Sequence, residues 1–179
     1  MDKLSTFSAD AVNLNGLLTH NKLPSVNHVH ELILNRLENV DASLSEAAFF
    51  HFKTPGKMLR AKMAIQSASL AEIDISTSLL WAGAVEVLHN ASLIHDDICD
   101  GDKQRRGRES IWVKFGRDTA LTLGDWLIAL SFELASEAAE MSNTPRLVGV
   151  LARHMATTTA GQAMEFGWNS TQSWDVYLK

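Results

Sequence analysis

The chain has 179 residues and a mass of 19.7 kDa, which suits one compact domain or part of a larger one, and 46% apolar residues supply a substantial core and exclude a disordered tail. Ten glycines, only three prolines and apolar residues at helical spacing argue against a β-sandwich or barrel and for an all-α fold. A formal charge of -5 weighs against a nucleic-acid partner, and the single cysteine, Cys99, excludes a disulfide framework or a cysteine-rich zinc module.

Residues 1–24 show no clear period and predict at most a short helix. The amino terminus lacks the basic-then-apolar pattern of a signal peptide, and no run approaches the roughly 20 apolar residues that cross a bilayer. A soluble, cytoplasmic protein without a transmembrane segment is expected. Pro24-Ser25 predicts a helix start, followed by Val29, Leu32, Ile33, Arg36, Leu37 and Val40 on one stripe. Asp41 or Ser43 caps a second helix through Phe52, Thr54-Pro55-Gly56 breaks it, and Lys57 to about Glu72 forms a third.

Ser76 or Thr77 is positioned to cap a long central helix that runs to about Asp100 and carries Leu80, Ala84, Val87, Leu88, Ala91 and Ile94. Gly101 to Ser110 reads as a polar loop, and Trp112 and Phe115 sit on a short turn. A helix follows from Arg117 to Met141; Asn143-Thr144-Pro145 begins another that ends near Gly167. On the first of these, Glu133, Glu137 and Glu140 read as a solvated face. A last helix begins at Thr171 or Ser173. No internal repeat or linker divides the chain, so residues 1–179 read as a single domain.

Charge is concentrated rather than spread. Ten of the 16 basic residues fall in two windows: Lys53, Lys57, Arg60 and Lys62, then Lys103, Arg105, Arg106, Arg108, Lys114 and Arg117. Between them lies the densest acidic cluster, Asp96, Asp97 and Asp100, a DDxxD pattern ending an otherwise apolar helix. Positions i and i+4 share a helix face, so Asp96 and Asp100 can address one ion while Asp97 is turned by about 100°. Hard carboxylate oxygens in that spacing suit magnesium, which takes one or two carboxylates and completes its octahedron with water and phosphate. The competing reading is a solvated acidic helix end. His89 lies two turns before Asp96 on the same face. With a single cysteine and no His-x-x-x-His pair, the His28-x-His30 sequence points away from zinc. Arg105-Arg106-Gly107-Arg108 makes better sense as a clamp for a small anion than as a nucleic-acid patch, because guanidinium groups grip phosphate in bidentate fashion.

The stretch from Glu86 to Asp97, with DDxxD and Arg105-Arg106-Gly107, resembles the first aspartate-rich region of the trans-isoprenyl diphosphate synthases, or polyprenyl synthetases. Gly56-Lys57-Met58-Leu59-Arg60 is similar to that family's GKxxR. Phe115-Gly116, Gly124-Asp125 and Gly161-Gln162-Ala163-Met164-Glu165 are similar to its FG, GD and GQxxD segments, in family order over residues 55 to 167. The resemblance implies an all-α bundle of the isoprenoid synthase type around a deep cavity, usually dimeric. It implies a magnesium-dependent prenyltransferase that condenses isopentenyl diphosphate with an allylic diphosphate. By the same resemblance, Asp96 and Asp100 ligate magnesium, Asp97 supports them and Arg105 contacts the allylic diphosphate. Lys57, Arg60, His89 and Arg106 hold isopentenyl diphosphate. Gln162 and Glu165 face the reacting carbons, with Glu165 as a further metal ligand.

In this family the residues just before the first aspartate limit product length. Here they are the small Ala91 and Ser92, so the cavity is expected to continue past Leu88 to a floor at Trp81. That residue lies about 22 Å from Asp96 along a helix, which implies a product of about twenty carbons or longer. The chain has Leu59-Arg60-Ala61 where the family has LRP, and it carries neither the KT pair nor the second aspartate-rich motif of the family's second half. It is therefore expected to be the amino-terminal half of a synthase, inactive alone and completed by a homodimer mate or a complementing half. A terpene cyclase-like enzyme and a non-catalytic subunit of a two-chain synthase are the alternatives.

Overall fold

The computed structural model describes residues 23–166; residues 1–22 and the helix expected to begin at Thr171 or Ser173 lie outside them. The described residues form α1 (Val26–Leu37), α2 (Ala42–Phe52), α3 (Leu59–Leu70), α4 (Ile75–Cys99), a hairpin of β1 (Gln104–Arg105) and β2 (Arg108–Glu109), α5 (Ile111–Phe115), α6 (Arg117–Met141) and α7 (Arg146–Phe166). The all-α reading holds. Among the described residues no helix is long and apolar enough to cross a membrane.

The starts of the helices follow local chemistry. The Ser25 amide donates to His28 Nδ1 at the head of α1, and Asp41 accepts from the Ser43 amide at the head of α2. The long helix α4 is capped by Asp74, which accepts from the Thr77 amide at 2.9 Å, rather than by Ser76 or Thr77. The cap shifts toward the amino terminus because a short carboxylate reaches the orphan N–H three residues on, as an N-cap must. At α3 the expected start at Lys57 gives way to Leu59. Met58 ahead of it adopts a left-handed φ of 45° and offers no side-chain cap. The buried Glu86 of α4 fills that role across space, its Oε2 accepting from the Ala61 amide at 3.1 Å.

α4 and α6, each of 25 residues, are the two central helices and run antiparallel. His95 meets Gly124 at one end, while Gly83 packs against Leu32 and Leu134 nearer the other. Leu79, Leu80, Ala84, Val87 and Ile94 of α4 interleave with Leu123, Leu127 and Leu134 of α6 in one core, and Leu32, Ile33 and Leu37 of α1 close its side. Of the face expected to be solvated, Glu133 and Glu140 are exposed, but Glu133 and the partly buried Glu137 also clamp α1. Arg36 of α1, largely buried, donates two bonds of 2.6 Å to Glu137 and one of 3.2 Å to Glu133. Burial of Arg36 among apolar neighbours demands a counter-charge, and α6 provides it. α7 is mostly exposed, with Leu151 buried against the core.

Candidate diphosphate-binding site

The expected polar loop holds a hairpin. Arg105 and Arg108 face each other across two residues, Arg106 and Gly107, whose φ angles are 53° and 74°. Positive φ at both central residues is what a type I′ hairpin turn requires, and it places a non-glycine residue, Arg106, in a costly conformation. Arg-Arg-Gly-Arg carries no alternation of apolar residues, so only the glycine signalled the turn. The base of the loop is tied by Ser110 Oγ and Trp112 Nε1, both donating to the Asp102 carbonyl at 2.8 and 2.7 Å.

The three aspartates divide as helical spacing dictates. Asp97 is 2% exposed and points inward, accepting from Arg105 Nε at 2.7 Å and Nη2 at 2.5 Å. Arg105 is held above its ordinary pKa chiefly by this bond. Asp96 is half-buried and Asp100 exposed on the other face, and neither carboxylate has a basic partner within ion-pair distance among the described residues. Burial, and then the Asp100 charge, raise the Asp96 carboxyl above the usual carboxylate range. Two unpaired oxygen donors that repel one another suit a divalent cation whose remaining ligands are water and phosphate. The three ligands expected for that ion, Asp96, Asp100 and Glu165, are not gathered into one cluster among the described residues. Glu165 is exposed and Gln162 half-buried near the end of α7. That helix has one buried residue, so little fixes its far end against α4.

The basic residues assemble beside the acidic face. Arg60 of α3 lies 2.9 Å from His89 Nε2 of α4, which must accept, so the imidazole proton resides on Nδ1. Burial, reinforced by Arg60, Arg106 and Arg105, pushes His89 down to about 4. Lys57 is exposed in the turn ahead of α3. Arg106 donates to the Thr54 carbonyl at 2.9 Å and to Asn90 Oδ1 at 3.3 Å. Its guanidinium lies flat on Gly56, where a Cβ would come within 3.0 Å. Arg108 donates to the Phe50 carbonyl and to Thr54 Oγ1, and stacks 3.7 Å over the Phe50 ring. The carboxyl end of α2 thus receives two arginines, as its dipole favours. Sequence reasoning missed His51 and Asn90, and it gave Arg108 a place in the anion clamp rather than against the end of α2. Asn90 and Arg108 stand inside the motifs, but nothing in the chain announces that they meet the end of α2.

Behind this charged end, a mostly apolar groove of about 500 Å³ lies between α3, α4 and the start of α7. Thr77, Trp81 and Val85 of α4 line it, with Met63 and Ser67 of α3 and Leu147 of α7. Trp81, Val85, Leu88, Ser92 and Asp96 recur at helical spacing on the partly exposed stripe of α4. Ala91, also expected on the pocket wall, is fully buried in the core, one step round the helix from that stripe.

The sequence profile of the family named Polyprenyl synthetase matches residues 41–179. The chain belongs to this family. It is 35% identical over 148 residues to the geranylgeranyl diphosphate synthase of Saccharolobus solfataricus, a match covering 81% of this chain and 45% of that protein. It is 33% identical over 134 residues to heptaprenyl diphosphate synthase component 2 of Geobacillus stearothermophilus, covering 75% of this chain and 41% of that one. Among solved structures, the geranylgeranyl pyrophosphate synthetase from the archaeon Geoglobus acetivorans matches with a TM-score of 0.74 and 34% identity, over 82% of this chain and 49% of that one. This polyprenyl synthetase chain therefore spans about half the length of the relatives it matches.

Proposed function

We propose that this chain carries the first aspartate-rich wall of a trans-polyprenyl diphosphate synthase, which joins isopentenyl diphosphate to an allylic diphosphate with magnesium. One observation carries the reading: unpaired Asp96 and Asp100 stand beside Arg60, His89, Arg105 and Arg106 at one end of a stripe whose other end lines an apolar groove. Magnesium, held by Asp96 and Asp100, supplies charge neutralisation of the departing diphosphate when bound. Arg105, fixed by Asp97, presents its remaining N–H groups to the allylic diphosphate. Lys57, Arg60, His89 and Arg106 bind the isopentenyl diphosphate and orient its double bond, converting an encounter in solution into a held geometry. Gln162 and Glu165 act from α7; as the allylic C–O bond breaks and the isopentenyl double bond forms the new C–C bond, a proton leaves C2 of the isopentenyl unit to solvent or diphosphate oxygen.

The growing tail enters the groove along Ser92, Leu88 and Val85 and stops at Trp81, which supports a product of about twenty carbons or longer. The similarity to a protein named as one component of a heptaprenyl synthase supports a second reading, in which the chain works with a complementing chain. An assay with labelled isopentenyl diphosphate, an allylic primer and magnesium tests both. Elongation by the chain as a homodimer supports the first, and silence restored by a complementing half supports the second. Cyclised hydrocarbon from the primer alone would overturn elongation in favour of a cyclase.

A further inference from the structure

His51 belongs to none of the motifs above, and the mechanism does not use it. It sits on the last turn of α2, and its Nε2 lies 3.0 Å from Asn90 Oδ1. Asn90 is itself oriented: its Nδ2 donates to the Glu86 carbonyl at 2.8 Å and lies 3.4 Å from Glu86 Oε1. That leaves Oδ1 facing the other way, as an acceptor only. Two donors converge on it, His51 Nε2–H and Arg106 Nη2. The imidazole is therefore in its Nε2–H form. Burial and the neighbouring Arg106, Arg105 and Arg108 keep it neutral by pushing it down to about 4.

We infer that His51 is a positioning residue for Arg106, acting through Asn90, and so for the diphosphate that Arg106 holds; the last step rests on the function proposed above. Arg106 needs outside support because its backbone is in the left-handed region at the tip of a two-residue turn. Thr54 and Asn90 take two of its five N–H bonds, leaving three for an anion. With His51 in place, a flip of the Asn90 amide would set its NH2 against two N–H donors. Without it, Asn90 is held by Glu86 and Arg106 alone, and the seat of Arg106 loses its support on the α2 side.

The test uses inorganic pyrophosphate, at constant magnesium, titrated calorimetrically into the full chain. His51→Leu should weaken binding about tenfold, while His51→Gln, whose amide reaches the same point, stays within about twofold. In an Arg106→Gln background His51→Leu should add nothing further. Equal losses in the two backgrounds, or wild-type affinity for His51→Leu, would overturn the inference. If His51→Leu does not fold, His51→Asn, too short to reach Asn90, replaces it with the same expectation. A wild-type chain that ignores pyrophosphate sinks the diphosphate reading instead. The seating of Arg106 is then decided by NMR of its guanidinium, whose hindered rotation should be lost in the His51 variant; an unchanged signal would overturn the positioning role.

Discussion

Arg105 and Asp97 form a buried pair in which the carboxylate receives two guanidinium N–H bonds and is almost wholly removed from water. The pair ties the hairpin to α4, so the arginine expected to grip a diphosphate is also a structural tie. Replacing one partner strands the other charge in the interior. Arg105→Gln should destabilise the fold by about 3 kcal/mol, read from urea unfolding. Adding Asp97→Asn should recover most of that loss. An unaltered urea midpoint for the single variant would show that the pair is not closed in solution.

Gly124 faces His95 so closely that a Cβ there would lie 2.1 Å from the imidazole Nε2. His95 Nε2 donates to the Leu121 carbonyl at 3.3 Å, which seats the ring in the notch. Gly124→Ala should cost about 2 kcal/mol and push the ring next to Asp96 out of place. The double variant Gly124→Ala/His95→Ala should melt above the Gly124→Ala single, because the collision is gone.

Acid should weaken the fold early. His51 and His89 are held near 4 in the folded chain, against 6.5 for an ordinary histidine. Below about 6.5 the unfolded chain takes up protons that these rings refuse, so stability is full above that pH and falls toward pH 4. His51 alone accounts for at most about 3 kcal/mol of this. Urea unfolding at pH 7.5 and 5 should show the loss, and His51→Gln should reduce it.

Trp81 lines the groove one turn along α4 from Val85, and the function proposed above makes it the floor. In the elongation assay, Trp81→Ala should shift products toward longer chains by at least one isoprene unit, and an unchanged profile removes Trp81 as the floor.

Much of this architecture was legible in local signals. The apolar run of α4, the Asp41 cap and the i, i+4 aspartates depend on residues within a few positions of each other. What was not legible depends on partners distant in sequence. Glu133 and Glu137 read as solvated because Arg36 lies about a hundred residues away, and one residue on an apolar stripe does not reveal its counter-charge. Met58 gave no cap, and its substitute, Glu86, comes from another helix. No residue near His51 in sequence marks it, because its partners come from α4 and the hairpin.

Glu86 touches the amide that opens α3 with one oxygen, and through its carbonyl it steers the side chain that seats Arg106. A shift of α3 along α4 would break the bond to Oε2, and the other oxygen of that carboxylate lies 3.4 Å from Asn90 Nδ2. The wall of the trough that carries Met63 and the seating of Arg106 thus lean on one and the same acid.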